Sequence, residues 1–433
     1  MSLEQDNLAP RAATVFRIAE SLGFALVGIA PAEPSDHAEH VKQWLADGKH
    51  GEMTYLASAA DQYLDPRELV PGAKAVICVA DRYGGAGTEG SRHQATEANA
   101  SNPLVARSLD PLIASPSGRI ARYAQGDDYH NVIKTPLHRL SDALTVKWPE
   151  PVFRSAVDTA PVLEREHAAR AGLGWIGKHT LLIHPQLGSW LLLGEIVTTL
   201  PIATSADQAW PMMTQPPTDH CGGCTRCIDA CPTQCITPYS VDASRCISYL
   251  TIEHNSAIDP KLHEAMGDWI AGCDVCQEVC PFNGEEAGPR ARGQGPRDEK
   301  VTNDTAFSRR ACSPTEQAEP TDESGNESMS HADKLKQLPS PDEAYAPRLP
   351  ALPLLEVLNW TEADRRAAVV RSALKRIKLE QFKRNALIAA GNHLRSHDDA
   401  SLLDCLRQIV DDSSEHALVR QTAQQTLDRL SNR

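Results

Sequence analysis

Long apolar runs are missing from this sequence. The most apolar stretch, Trp190 to Ala203, is broken by Glu195 and Pro201, well short of the ~20 residues a helix needs to cross a bilayer. The first twenty residues show neither a basic start followed by an apolar core nor a twin-arginine pair, so they do not read as an export signal. The chain is expected to be soluble, cytoplasmic and without a membrane partner. Positive charge is also scarce: 43 Lys plus Arg face 57 Asp plus Glu, a net charge of −14. A dominant positive field is therefore lacking, which excludes indiscriminate coating of nucleic acid but leaves a local basic face open.

What remains is a folding composition, 41% hydrophobic and 23% charged over 433 residues, enough for two or three domains. Arg11 to Gly23 places Val15, Ile18, Ala19 and Leu22 at helical spacing. Phe24–Ile29, Ala75–Ala80 and the run GSWLLLGEIVTT read as strands, so residues 1–215 are expected to form an α/β domain. Residues 216–283 are turn-rich and cysteine-rich. Residues 84–117 and 284–348 look like insertions, and the second is too poor in aliphatic residues to offset its ordering entropy. From 349 to 433 the pattern is helical throughout, with spacing similar to HEAT-type helix pairs. Two such units are too few to stand alone, so this region should dock on the rest.

Twelve cysteines is a high count, and most lie between residues 221 and 280. In a reducing compartment such a concentration points to metal or redox ligation rather than disulfides. Cys221, Cys224, Cys227 and Cys231, followed by Pro232, have the C-x2-C-x2-C-x3-C-P spacing of a bacterial ferredoxin run, whose fourth cysteine serves the other cluster. Cys273, Cys276 and Cys280-Pro281 form a second run lacking its first member, and Cys246 is the available substitute. The crossover assigns Cys221, Cys224, Cys227 and Cys280 to one 4Fe-4S cluster, and Cys231, Cys246, Cys273 and Cys276 to another. Zinc is the structural alternative, although zinc sites rarely use these gaps with a trailing proline. Cys78, Cys235, Cys312 and Cys405 are left as packing or bystander residues. Two linked clusters imply one-electron steps, and a wire needs a terminus elsewhere in the chain.

Gly172-Leu-Gly174-Trp-Ile-Gly177 satisfies G-x-G-x-x-G, but it follows a helical pattern where a dinucleotide fingerprint must follow a strand. NAD binding is rejected, while a glycine loop approaching another large ligand stays open. Asp158 ends the strand pattern VFRSAVD. It reads either as a turn cap or as a proton donor at the mouth of the sheet.

Taken together, VDTAPVLERE, AGLGWIGKHTLLI, RYAQGDDYH, the CxxCxxCxxxCP run, DASRCISYLTIE and GCDVCQEVCP resemble the epoxyqueuosine reductases, over about residues 10–283 and again in SALKRIKLEQFKRNALIAAGN. The resemblance implies an α/β cobalamin-binding domain, a ferredoxin-like two-cluster domain and all-α, HEAT-like C-terminal helices. It further implies a cobalamin-dependent reduction of epoxyqueuosine to queuosine at the wobble base of tRNA, with an external electron donor. By the same resemblance Asp158 is the proton donor, and Ala121, Tyr123, His130, Asp158, Lys178, Leu182 and Leu193 line the cofactor. No D-x-H-x-x-G stretch, associated with base-off, His-ligated cobalamin, is present. Family members often carry an Arg shortly before the D-P-R stretch, where this chain has Tyr63, with Arg67 the nearby candidate replacement. Reductive dehalogenases share the two-cluster plan, but the missing twin-arginine pair and the basic tail point away from them.

That tail can be counted. Between Thr361 and Arg395 nine basic residues face three acidic ones, a local charge of +6. A basic helical face suits a tRNA arm, and a solvated surface is the plain alternative. Arg165, Lys375, Arg376, Lys378, Lys383 and Arg384 are the expected tRNA contacts. Nothing resembles a dedicated dimer interface, so a monomer is expected.

Overall fold

The computed structural model describes residues 7–83, 115–207, 219–283 and 343–431. Most of both expected insertions, Cys312 included, lies outside the described residues. Their ends do not: Ser117 opens a strand, and Tyr345 is buried, with its hydroxyl donating to Asp81 at 3.1 Å. The folded body therefore begins earlier on both sides than composition suggests.

The helix Leu8–Ser21 forms where its apolar spacing predicts, and Gly23 at φ +89° turns the chain out of it. The main sheet contains β1 (Leu26–Pro31), β2 (Ala75–Arg82), β4 (Phe153–Ala156) and β7 (Leu191–Thr198) in the order β1-β2-β7-β4. One face packs on the helices Leu8–Ser21 and Tyr129–Lys147 through Ile29, Ile77, Val79 and Ile196. The other packs on Glu164–Arg170 through Val76, Cys78 and Val197. Burial on both faces explains why β2 reads as one apolar run, and Cys78 is a core residue, as expected. Every pairing in this sheet is antiparallel, which corrects the α/β expectation. Alternating helix and strand signals carry no strand direction, and here none of the paired neighbours is joined by a parallel crossover.

The G-x-G-x-x-G segment leaves the helix Glu164–Arg170 and enters a hairpin of β5 (Trp175–Ile176) and β6 (Leu182–Ile183). A side chain at Gly174 would strike the carbonyl of Ile183. That internal close approach accounts for the glycine, and the ligand-cradling reading is not needed.

A second sheet joins the regions that composition separates. β3 (Ser117–Ile120) pairs in parallel with β10 (Trp269–Ala271) of the cysteine segment and antiparallel with β11 (Ala351–Pro353) of the C-terminal region. Behind it the helix Leu379–Leu394, buried nearly all round, packs against Ala400–Asp411, Ala417–Ser431 and β10, with Cys405 in the same core. The tail docks, as predicted. Among the described residues no helix is long and apolar enough to cross a membrane.

Polar groups hold this junction. Arg384 is fully buried, and its guanidinium donates to the carbonyls of Leu250 (2.6 Å), His254 (2.7 Å) and Ser256 (2.7 Å). These are the orphan carbonyls beyond the helix Ile247–Ile252, which a cation satisfies well. Asn385 adds bonds to Thr251 and Ile270 carbonyls. Lys383 is buried against Glu415 at 2.6 Å. Arg384 and Lys383 are thus structural, correcting their assignment to tRNA. Replacing Arg384 with Ala strands the Leu250 and Ser256 carbonyls and leaves that of His254 to Gln381 alone, and urea denaturation should show a loss of roughly 3–5 kcal/mol.

Candidate active site

Beyond the end of β4 the chain bends sharply, placing Asp158 at φ +50°, a left-handed conformation unusual outside glycine but tolerated by Asp. The Asp158 amide donates to the Glu164 carboxylate, which pins the bend. Its own carboxylate is half-exposed and lies 3.0 Å from Nε2 of His130. The other imidazole nitrogen is 2.8 Å from Asp128. Asp128 caps the helix Tyr129–Lys147, so the cap that starts the helix also orients the histidine. The Tyr129 ring stacks on His130 at 4.0 Å, and Tyr129 favours the charged form of Asp158.

The charges follow from these contacts. Burial disfavours the His130 imidazolium, but bonds to Asp158 and Asp128 outweigh it and raise its pKa. Burial likewise disfavours the Asp158 carboxylate, yet His130, Tyr129 and Arg376 lower its pKa on balance. The site thus places the imidazole between two carboxylates that favour its protonated form.

Glu164 and Glu195 sit behind this pair. Burial and the charge of Asp158 push Glu164 up to about 7. Glu195, completely buried on β7, has no hydrogen-bond donor on either carboxyl oxygen among the described residues. Burial and the charge of Glu164 raise its pKa well above the glutamate range, which favours its neutral form. The opening wall carries Tyr55 and Tyr63, whose pKa values rise through burial and charges that include Asp158. Arg376 completes it, paired with Glu253 at 2.6 Å. The Tyr63 substitution thus falls within the site. Arg67 does not replace the missing cation: it forks onto Asp65, 2.7 Å away. Sequence reasoning missed Glu164, Glu195 and Tyr129 as site residues. The signal for Glu195 was a lone acid in an otherwise apolar strand.

The cysteine segment gathers its thiols in two groups. Cys221, Cys224, Cys227 and Cys280 line one pocket of about 50 Å³ with Lys178, His220, Arg226 and Phe282. Lys178, expected at the cobalamin, instead donates to the carbonyls of Gly222 (2.6 Å) and Cys224 (3.1 Å) and secures this loop. The second set gathers around Cys246, which neighbours Cys231, Cys273 and Cys276. Cys235 is buried in the same group, so its place is more than general packing.

The two regions meet at the turn Arg122–Ala124. The Arg122 amide donates at 2.7 Å to Asp274, which lies between Cys273 and Cys276. Tyr123, the next residue, feels the charges of both Asp158 and Asp274. Among the remaining expected cofactor contacts, Ala121 and Leu182 are buried in packing and Leu193 is partly buried against the same core as Leu182. Tyr123, His130 and Asp158 come together.

The segment 220–283 matches the family model described as a 4Fe-4S double cluster binding domain. Residues 64–159, which include Tyr123, His130 and Asp158, match the model described as Epoxyqueuosine reductase QueG, DUF1730. The epoxyqueuosine reductase of Burkholderia pseudomallei is 33% identical over 436 residues, covering 97% of this chain and 92% of that one. The chain belongs to the epoxyqueuosine reductase family. The Xanthomonas campestris reductase is 42% identical over 273 residues, 63% of this chain and 70% of its own. A crystal structure of an epoxyqueuosine reductase with an epoxyqueuosine-modified tRNA-Tyr stem loop shares the fold, with a TM-score of 0.68 at 23% identity, over 95% of this chain and 88% of that one. The Streptococcus thermophilus reductase does so with a TM-score of 0.68 at 22% identity, over 98% and 90%. In this reductase the double-cluster segment contains all eight assigned cysteines.

Glu195 gives a pH test. Its folded pKa lies above the unfolded value, so the proton it holds stabilises the fold at low pH, and that stability is lost as pH rises. Glu195→Gln keeps a neutral group, and its advantage over wild type should grow by up to ~1.4 kcal/mol per pH unit above the usual glutamate range. Urea denaturation at pH 5 and pH 8 measures it.

Proposed function

We propose that this reductase converts epoxyqueuosine to queuosine at the wobble base of a tRNA, taking two electrons and two protons and releasing the epoxide oxygen as water. The observation that carries this reading is the His130–Asp158 pair, linked through Tyr123 to the loop between Cys273 and Cys276. A proton source and the end of an electron wire adjoin one cleft. Tyr123 faces both, which fits a redox group lodged between them, and Tyr123 and His130 would hold cobalamin there. When bound, cobalamin supplies a low-valent cobalt able to pass electrons to a strained carbon–oxygen bond.

The chain's own residues handle the protons. Opening an epoxide leaves an alkoxide, a far stronger base than either partner of the pair. Asp158, half-exposed, faces the opening, and His130 holds the proton that Asp158 passes on. Asp128 keeps the imidazole oriented and charged during the transfer. Loss of charge on His130 removes that proton, so turnover should fall as pH rises through its raised pKa. Asp158→Asn should slow turnover by about 10²–10⁴-fold while retaining cobalamin and tRNA binding. Single-turnover assays with the anaerobically loaded enzyme, alongside absorbance and filter-binding titrations, check both statements.

The basic segment borders this cleft. Arg371 pairs with Asp127 at 2.8 Å and Lys375 with Asp128 at 3.5 Å, directly beside His130. Arg371 and Arg366 are 68% and 74% exposed, and such surface pairs are held by about 1 kcal/mol or less. They are available to phosphates, as are Arg376, Lys378 and Arg165, the last exposed beside the Asp158 loop. The tRNA-binding reading therefore keeps Arg165, Lys375, Arg376 and Lys378, gains Arg366 and Arg371, and drops Lys383 and Arg384. Replacing Arg371 and Lys375 together with Ala should weaken tRNA binding and reduce the salt dependence by ~1 per lost phosphate contact. Binding titrations across a salt series provide the measurement.

A further inference from the structure

Five thiols, not four, meet where the second cluster binds. Cys235 is buried, and its sulfur lies 3.4 Å from that of Cys231. Cys246 packs against the same buried cluster. The chain is built to bring Cys235 there. After Pro232 the backbone turns through Gln234 at φ +52°, with the Gln234 amide donating to the Cys231 carbonyl at 3.0 Å. The Cys235 carbonyl then accepts from Asp242 at 2.8 Å, at the base of a hairpin of β8 (Ile236–Thr237) and β9 (Ser240–Val241). The turn and the hairpin fix the backbone on both sides of Cys235 and direct its side chain back toward Cys231.

A 4Fe-4S cubane places its four cysteine sulfurs on four separate irons, well apart from one another. Two sulfurs in mutual contact cannot both take such positions. Cys231 occupies the ligand position of the C-x3-C-P run, so Cys235 is the additional group.

We propose that Cys235 remains a thiol, donates an S–H···S hydrogen bond to the Cys231 thiolate, and thereby raises the reduction potential of the second cluster. A donor facing a ligand sulfur draws off part of its negative charge. The reduced cluster carries one more negative charge than the oxidised one and gains more from the donor, so the couple shifts upward. The step is a one-electron reduction of the cluster by the enzyme's electron donor, with no bond broken and the S–H proton staying on Cys235. Because this cluster borders Tyr123, its potential governs delivery of electrons to the cleft. Thr233, whose hydroxyl is 3.7 Å from the Cys231 sulfur, is a weaker second donor.

The inference rests on the second cluster being bound, which iron analysis and the EPR signals of the reduced wild-type protein establish separately. The test compares wild type, Cys235→Ala, Cys235→Ser and Cys231→Ala after anaerobic reconstitution, using iron content and EPR-monitored redox titration. Cys235→Ala should keep both clusters and become harder to reduce. At the wild-type midpoint its reduced-to-oxidised ratio should fall about tenfold, equivalent to about 59 mV for a one-electron couple. Cys235→Ser, which keeps a donor, should fall between the two, and Cys231→Ala should lose the second cluster. An unchanged potential in Cys235→Ala with both clusters present overturns the proposal, as does a Cys235→Ser potential shifted as far as that of Cys235→Ala. So does loss of the second cluster's iron in either variant, which would make Cys235 a ligand instead.

Discussion

The turn Arg122–Ala124 is held from three directions. The amide of Ala121 just before it donates to Ala271 at 2.8 Å, the amide of Arg122 donates to Asp274, and the carbonyl of Ala124 accepts from Ser372 at 2.9 Å. Those partners belong to the cysteine segment and to the C-terminal region, while the turn follows β3 and leads to the helix bearing His130. Backbone groups buried at such a junction must be paired. The pairing fixes Tyr123 between the cluster loop and the proton pair. The relation between electron path and proton source depends on this short piece of chain.

Carboxyl groups crowd the cleft. Asp128, Asp158, Glu164, Glu195, Glu253 and Asp274 all lie in or behind it, with His130 and Arg376 as the close cations. Burial disfavours the ionised form of this many neighbouring carboxyl groups: Glu195 is raised well above the usual range, Glu164 sits near 7 and Asp274 rises to about 6. The expectation of Asp158 as a lone acid is refined accordingly. Its carboxylate is stabilised in the charged form, and in the proposed reaction the acid is the His130–Asp158 pair.

Charge along the chain was a poor guide to charge in space. The +6 segment contains residues with opposite roles: Arg371 and Lys375 pair with the acids beside His130, whereas Arg384 is buried on carbonyls of the cysteine segment and on Asn385. Helical spacing could show that Arg384 follows an apolar face, but not that a neighbouring helix would end against it.

Local chemistry was legible in the sequence because covalent spacing carries it. The clustering of the cysteines, Asp158 just past a strand, the helix ahead of the glycine motif and the docked helical tail all follow from residues near one another along the chain. Tertiary structure alone decided what depends on segments far apart. It made the main sheet antiparallel, brought Lys178 to a cluster loop and closed Cys235 onto Cys231. It also set His130 between two carboxylates and joined three regions through one small sheet. Spacing determines which groups can share a turn or a helix face. Which groups share a buried site, and so which proton or electron each one holds, is determined by the packing that removes water from around them.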